Sequence, residues 1–292
     1  MADGVIYVAT GADHVALACA SAASLRATNP GLAADLFTDD PDVPEAGLFD
    51  RVHAVPRVHE RAKLDCLPLT RFDRTLFLDS DTLVLQGFGD LFDLLARFDC
   101  AMAHDVRRAS PLVQEGRDHV TPYAFPQLNS GVLLYRRSDA MWAFLAEWAA
   151  RFHADPAVVR DQVILKDLLW ESDLRFYVLP PEFNLRRTPM LDAWEPLDAR
   201  PTVLHSHRLQ DHLRVPGAAR LTTLDQVVAA ERAAHAAEWA AVGARPAGWP
   251  PTAPLCRAVR PRAAARPPTE ARRRGRLRRL WRCGRPSRTL PR

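Results

Sequence analysis

Lysine is nearly missing from this chain of 292 residues: of 39 basic residues, only Lys63 and Lys166 are lysines. Cysteine is sparse and unpatterned as well. Cys19, Cys66, Cys100, Cys256 and Cys283 form no C-x-x-C pair, which argues against a zinc module or a disulfide framework and for a reducing compartment. No uninterrupted apolar run is long enough to span a bilayer. The most apolar helical stretch, MWAFLAEWAA, is broken by Glu147 and reads as a packed amphipathic helix. The opening MADGVIYVATG runs almost directly into a strand without a basic leader. These absences predict a soluble cytoplasmic protein, free in solution or peripheral to the inner face of the membrane.

The composition is ordinary for a globular chain, at 48% hydrophobic and 25% charged residues. The net charge of +4 conceals an asymmetry. Residues 257–292 hold 14 arginines and a single acid, Glu270, a net of +13, which leaves −9 on the remainder. An overall basic pI is therefore no argument for nucleic-acid binding by the body of the protein. Beyond Gly243 proline and arginine dominate and hydrophobic periodicity stops, so residues 244–292 read as a disordered tail. A solvated tail is the plain reading, and contact with an anionic membrane surface or nucleic acid is the alternative.

Residues 1–243 alternate between strand-like and helix-like segments. GVIYVAT, ADLFTDD, RVHAVP, TLFLDSD, CAMAHD, SGVLLYRR, RFYVLP and PTVLHSH read as strands. Between them, VALACASAASLRATNP, RAKLDCLPLTRF (interrupted by Pro68), DLFDLLARFD, SDAMWAFLAEWAARFH and DQVILKDLLWES read as helices, followed by an Ala-rich helix over 224–242. The pattern predicts an α/β fold, a mostly parallel sheet covered by helices on both faces.

One strand ends in two carboxylates: RTLFLDSDTLVL places Asp79 and Asp81 behind a strongly apolar run. Idle charges there would be costly to desolvate. Residues i and i+2 of a strand share a face about 6.6 Å apart, and both can reach one divalent ion through bonds of about 2.1 Å. At the C-terminal end of a parallel strand, where ligands bind in open sheets, such a pair suits a cation that clamps a nucleotide diphosphate. D-x-D alone is a weak signal. Asp40-Pro41-Asp42 repeats the spacing in an acidic, Pro-containing loop, where turn chemistry explains it.

The segment AKLDCLPLTRFDRTLFLDSDTLVLQGFGDLFD, over 62–93, resembles the central part of glycosyltransferase family 8, especially its glycogenin-like branch. QLNSGVLLYR, DQVILKDL, LPPEFNLR and VLHSH follow in the family's order, and the similarity covers roughly residues 4 to 210. The resemblance implies a single GT-A-type nucleotide-sugar-binding domain and transfer of a sugar from a UDP-sugar to an unidentified acceptor, with retention of configuration. It implies Mn²⁺, or Mg²⁺, on Asp79, Asp81 and His205, with His207 as the fallback ligand. Ser80 would back the ribose and Lys63 would meet the diphosphate, a point charge against a phosphate oxygen. Thr10, Gly11 and His14 would lie against the base and ribose. Asn129, Ser130 and Gly131 would face the donor. Asp161 and Gln162 would stand near the anomeric carbon, in donor positioning and transition-state stabilisation rather than covalent attack. Lys166 has no such context and is expected in solvent.

Two departures stand out. HSHRLQDHLRVPG lacks the lysine that the family places after its metal histidine, leaving Arg208 or Arg214 as substitutes. No tyrosine-bearing segment for self-glycosylation stands out among four tyrosines, so the chain does not read as a glycogenin. A sugar-nucleotidyltransferase is the second reading, though ATGADH after the first strand has no basic residue. A non-enzymatic binding protein acting through the basic tail is the third.

Overall fold

The computed structural model describes residues 1–43 and 45–242; the segment 244–292, expected as a disordered tail, lies outside the described residues. Among the described residues nine strands alternate with helices: β1 (Asp3–Val8), α1 (Ala12–Thr28), β2 (Ala33–Thr38), β3 (Arg51–Ala54), α2 (Lys63–Cys66), β4 (Arg74–Leu78), β5 (Thr82–Val84), β6 (Cys100–Ala103), α3 (Pro111–Gln114), β7 (Val132–Arg136), α4 (Asp139–Ala154), α5 (Asp161–Glu171), β8 (Phe176–Leu179), β9 (Val203–His205), α6 (Asp211–Arg214) and α7 (Leu224–Val242).

Seven strands make one sheet in the order β3-β2-β1-β4-β7-β6-β8. Its pairs are parallel except at β7, which runs antiparallel to both β4 and β6. Strand periodicity divides the core between two faces. Val5, Tyr7, Leu76, Leu78 and Leu134 pack on one side against α1 and the 3₁₀ turn Gly89–Ala96. Ile6, Phe77, Leu133 and Tyr135 pack on the other against α2, α4 and α5. This is the expected α/β sheet with both faces covered. α4 starts where Ser138 accepts a hydrogen bond from the Met141 N–H, the predicted N-cap.

Three local expectations change. Pro68 limits the predicted helix at 61–72 to the single turn α2 and a 3₁₀ turn, Leu67–Leu69, because proline offers no N–H to continue the ladder. DLFDLLARFD winds as 3₁₀ rather than α. The D-x-D is not in a strand: β4 ends at Leu78 and β5 begins at Thr82, so Asp79, Ser80 and Asp81 form the turn between them. β5 leaves the main sheet and pairs antiparallel with β9, setting Thr82 opposite His205.

Candidate active site

Two pairings gather the site. The antiparallel register of β4 and β7 sets Leu78 opposite Val132, and the Asp79 N–H donates to the Gly131 carbonyl at 2.8 Å. The loop Asn129-Ser130-Gly131 thereby meets the D-x-D. The β5–β9 ribbon brings in His205 from more than a hundred residues away. One ligand atom from each of Asp79, Asp81 and His205 lies within 4.8 Å of the others. His205 Nε2 is 3.2 Å from Asp81 Oδ1 and 3.9 Å from Asp79 Oδ2.

A chain of hydrogen bonds fixes the His205 ring. The Asp105 carboxylate can only accept, so it receives Gln162 Nε2–H at 2.7 Å. Gln162 Oε1 then accepts from Asn129 Nδ2 at 3.2 Å, and Asn129 Oδ1 accepts from Asn184 Nδ2 at 3.0 Å. The Gly131 N–H confirms that Asn129 orientation at 3.0 Å. Asn184 Oδ1 is left to accept from His205 Nδ1–H at 2.9 Å. Nε2 is thus the nitrogen that faces the two carboxylates, as a metal-binding imidazole requires. The backbone leaves room for this ring only because residue 131 is glycine. A Cβ there would come within 2.2 Å of His205 Cε1 and 2.6 Å of Asp79 Oδ2.

Burial alone would raise the Asp81 carboxyl, but the His205 ring, and after it His207, hold it well below the usual carboxylate range. Two carboxylates and an imidazole nitrogen form a donor set suited to Mn²⁺ or Mg²⁺. His207 reaches only Asp81, at 3.3 Å through Nδ1, and its Nε2 meets Arg186.

A second triad, His59, Asp65 and His153, has comparable spacing but the wrong tautomer. His59 Nδ1 accepts from the Arg61 N–H at 3.2 Å, so its proton is on Nε2 and is donated to Asp65 at 2.9 Å. His153 reaches the other carboxylate oxygen at 2.9 Å, and Arg57 adds its charge at 3.1 Å. This triad reads as a latch that holds the loop around residue 59 to the end of α4.

Beside Asp79 the other half of the site is cationic. Lys63 Nζ donates to Ser130 Oγ at 2.9 Å and lies 3.5 Å from both Asp79 and Asp161. Burial works against its charge, yet the Asp161 and Asp79 carboxylates prevail and raise the ammonium above its ordinary value. Asp161, 5% exposed, is likewise lowered despite burial by Lys63, Arg61 and the Ser130 hydroxyl. It opens α5, with Gln162 beside it.

These groups line a cleft of about 780 Å³ that also includes Thr10, His14, Ser80, Asn129, His205 and His207. Three of the sequence-assigned residues do not line it. Gly11, whose φ of +78° starts α1, donates to Asp39. Ser130 sits behind Lys63 and Asp161, and Gly131 sits behind His205. Arg214 lines the cleft, whereas Arg208 pairs with Asp211. Lys166 is not in solvent: it is 1% exposed and donates to the Gln114 carbonyl at 2.6 Å. Sequence reasoning missed Asp105 and Asn184. Their signals were a carboxylate just beyond strand β6, and the asparagine of LPPEFNLR.

The fold defined by these elements is that of solved glycosyltransferases. GlyE of Streptococcus pneumoniae TIGR4, a glycosyltransferase, is similar at 19% identity and a TM-score of 0.53, over 82% of this chain and 64% of that one. The galactosyltransferase LgtC, solved with donor and acceptor sugar analogs, is similar at 19% identity and a TM-score of 0.51, over 81% of this chain and 95% of that one. The chain therefore spans just under two thirds of the length of GlyE. No family model matches the sequence, and no curated protein matches it.

Proposed function

We propose that this protein is a metal-dependent glycosyltransferase that moves a sugar from a UDP-sugar to an acceptor hydroxyl, with retention of configuration. The observation that carries the reading is the Asp79–Asp81–His205 trio facing one cleft with Lys63, Asp161 and Gln162. The shared fold supports it.

Asp79, Asp81 and His205 would hold Mn²⁺ or Mg²⁺, and the ion supplies charge neutralisation for the departing diphosphate. Lys63 offers its ammonium to a phosphate oxygen from beside Asp79. Thr10, just beyond β1, and His14, in the first turn of α1, would meet the base and ribose. Gln162, held at both ends by Asp105 and Asn129, is positioned rather than free to attack. Asp161 is engaged by Lys63, Arg61 and Ser130, which fits electrostatic stabilisation of a developing positive charge. In the reaction the acceptor oxygen bonds to the anomeric carbon as its bond to the phosphate oxygen breaks. The electron pair leaves with UDP, and the hydroxyl proton passes to the departing phosphate or to solvent.

The test is release of UDP from a panel of UDP-sugars with Mn²⁺, in wild type and Asp79→Ala. No turnover across the panel, with UDP affinity unchanged by the substitution, would sink the reading. The scattered thiols favour a cytoplasmic site of action. Cys19, Cys66 and Cys100 are buried and unpaired, and burial pushes the Cys66 and Cys100 thiols up to about 12. Among the described residues no helix is long and apolar enough to cross a membrane.

A further inference from the structure

A second cleft, also of about 780 Å³, opens next to the first and meets it at Asp105 and Arg186, which line both. Its walls come from the turn after β6, the segment 179–190 and the last turns of α7. Four arginines (Arg107, Arg108, Arg186 and Arg187) stand there against two carboxylates, Asp105 and Glu238.

Neither carboxylate is available to a further cation. Asp105 is taken by Gln162, and Glu238 is shared between Arg107 and Arg187. Arg107 reaches it from a left-handed backbone, φ 58°, a conformation that side-chain-bearing residues adopt sparingly. Among the described residues no carboxylate pairs with Arg108, and Arg186 meets only the His207 ring. Clustered guanidinium groups with unspent charge attract an anion, and their planar fork matches carboxylate and phosphate oxygens. Apolar side chains complete the wall, with Leu179, Pro189 and Met190 lining it.

We propose that this second cleft is the acceptor subsite, and that the acceptor carries an anionic group, a carboxylate or a phosphate, held by Arg108. The inference rests on the transferase reading for the word acceptor, but the anion site stands on its own lining.

The experiment is calorimetric binding to the full chain of two matched pairs: p-nitrophenyl β-D-glucuronide against the β-D-glucoside, and glucose 6-phosphate against glucose. A charge-assisted contact predicts about ten-fold tighter binding of the anionic member in one pair, and the pair that shows it separates a carboxylate from a phosphate ligand. Arg108→Gln should abolish that gap and Arg108→Lys should restore part of it. Among the described residues Arg108 has no carboxylate partner to lose, so folding is not at stake, and the Arg-rich tail is unchanged in every variant. Equal binding within both pairs, or a gap that survives Arg108→Gln, overturns the inference. UDP release is scored separately. Selective binding without turnover keeps the anion site and sinks the transferase; turnover without selectivity does the reverse.

Discussion

Asn184 makes the sharpest prediction because it is not one of the three candidate ligands, yet the His205 ring depends on it. The residue is 3% exposed. Its carboxamide oxygen accepts from His205 Nδ1–H at 2.9 Å, while its NH₂ donates to Asn129 Oδ1 at 3.0 Å. Asn184→Ala removes both. Asn129 Oδ1 keeps the Gly131 N–H, so the deficit falls on the imidazole, which loses the partner that fixes its tautomer and its aim. Loss of such an outer partner weakens metal affinity roughly 10- to 100-fold, about 1.4 to 2.7 kcal/mol. The variant should also lose about 1–3 kcal/mol of stability for a buried donor left unpaired. Asn184→Asp retains the acceptor for Nδ1–H and should bind metal better than Asn184→Ala, although it cannot donate to Asn129. The measurement is Mn²⁺ titration of the folded proteins by calorimetry. If Asn184→Ala binds Mn²⁺ as wild type does, the hydrogen-bond chain does not orient His205 and the reasoning fails.

Gly131→Ala should leave a folded protein that no longer titrates with Mn²⁺, because the new methyl occupies the His205 position; an unchanged calorimetric isotherm would refute this. Lys63→Met and Lys63→Arg should both weaken UDP binding about ten-fold or more, whereas Lys166→Met, which removes the other lysine, should not alter it. Fluorescence titration with UDP separates the three. Asp99 gives a pH prediction. Burial opposes its charge, but the Arg175 N–H at 2.8 Å and the Arg136 guanidinium lower the carboxyl below its ordinary value. A depressed carboxylate stabilises the fold above the unfolded value of about 3.9, and that contribution is lost as pH falls through the lower folded value. Asp99→Asn should therefore lose less thermal stability than wild type between neutral pH and pH ~3, and parallel melting curves would contradict this.

Much of the fold was legible because β1, β4 and β7 are apolar on both faces, the pattern of strands covered on two sides. The antiparallel insertion of β7 was not, since a fully buried strand has the same pattern in either direction. Asp79, Asp81 and His205 were readable from an ordered set of motifs. Their geometry was misread in one respect: Asp79 and Asp81 share a turn, not a strand face. Lys166 was misplaced because nothing local marks a helical lysine as buried; the carbonyl that receives it belongs to Gln114, 52 residues away. Asp105 and Asn184 escaped notice for a related reason. Each is an isolated polar residue whose meaning lies in partners brought in by tertiary pairing.

All strands of the seven-stranded sheet come from residues up to Leu179, whereas β9, which carries His205, follows at Val203–His205. As the chain leaves the ribosome, the main sheet has its full complement of strands before the third member of the metal trio exists. The closing event joins Thr82 to His205 across a loop of more than a hundred residues, a contact of the slow, non-local kind. The Asp79–Asp81–His205 trio is therefore assembled late. A nascent chain stopped before residue 203 would have the sheet's sequence and two carboxylates, but no histidine to complete the trio.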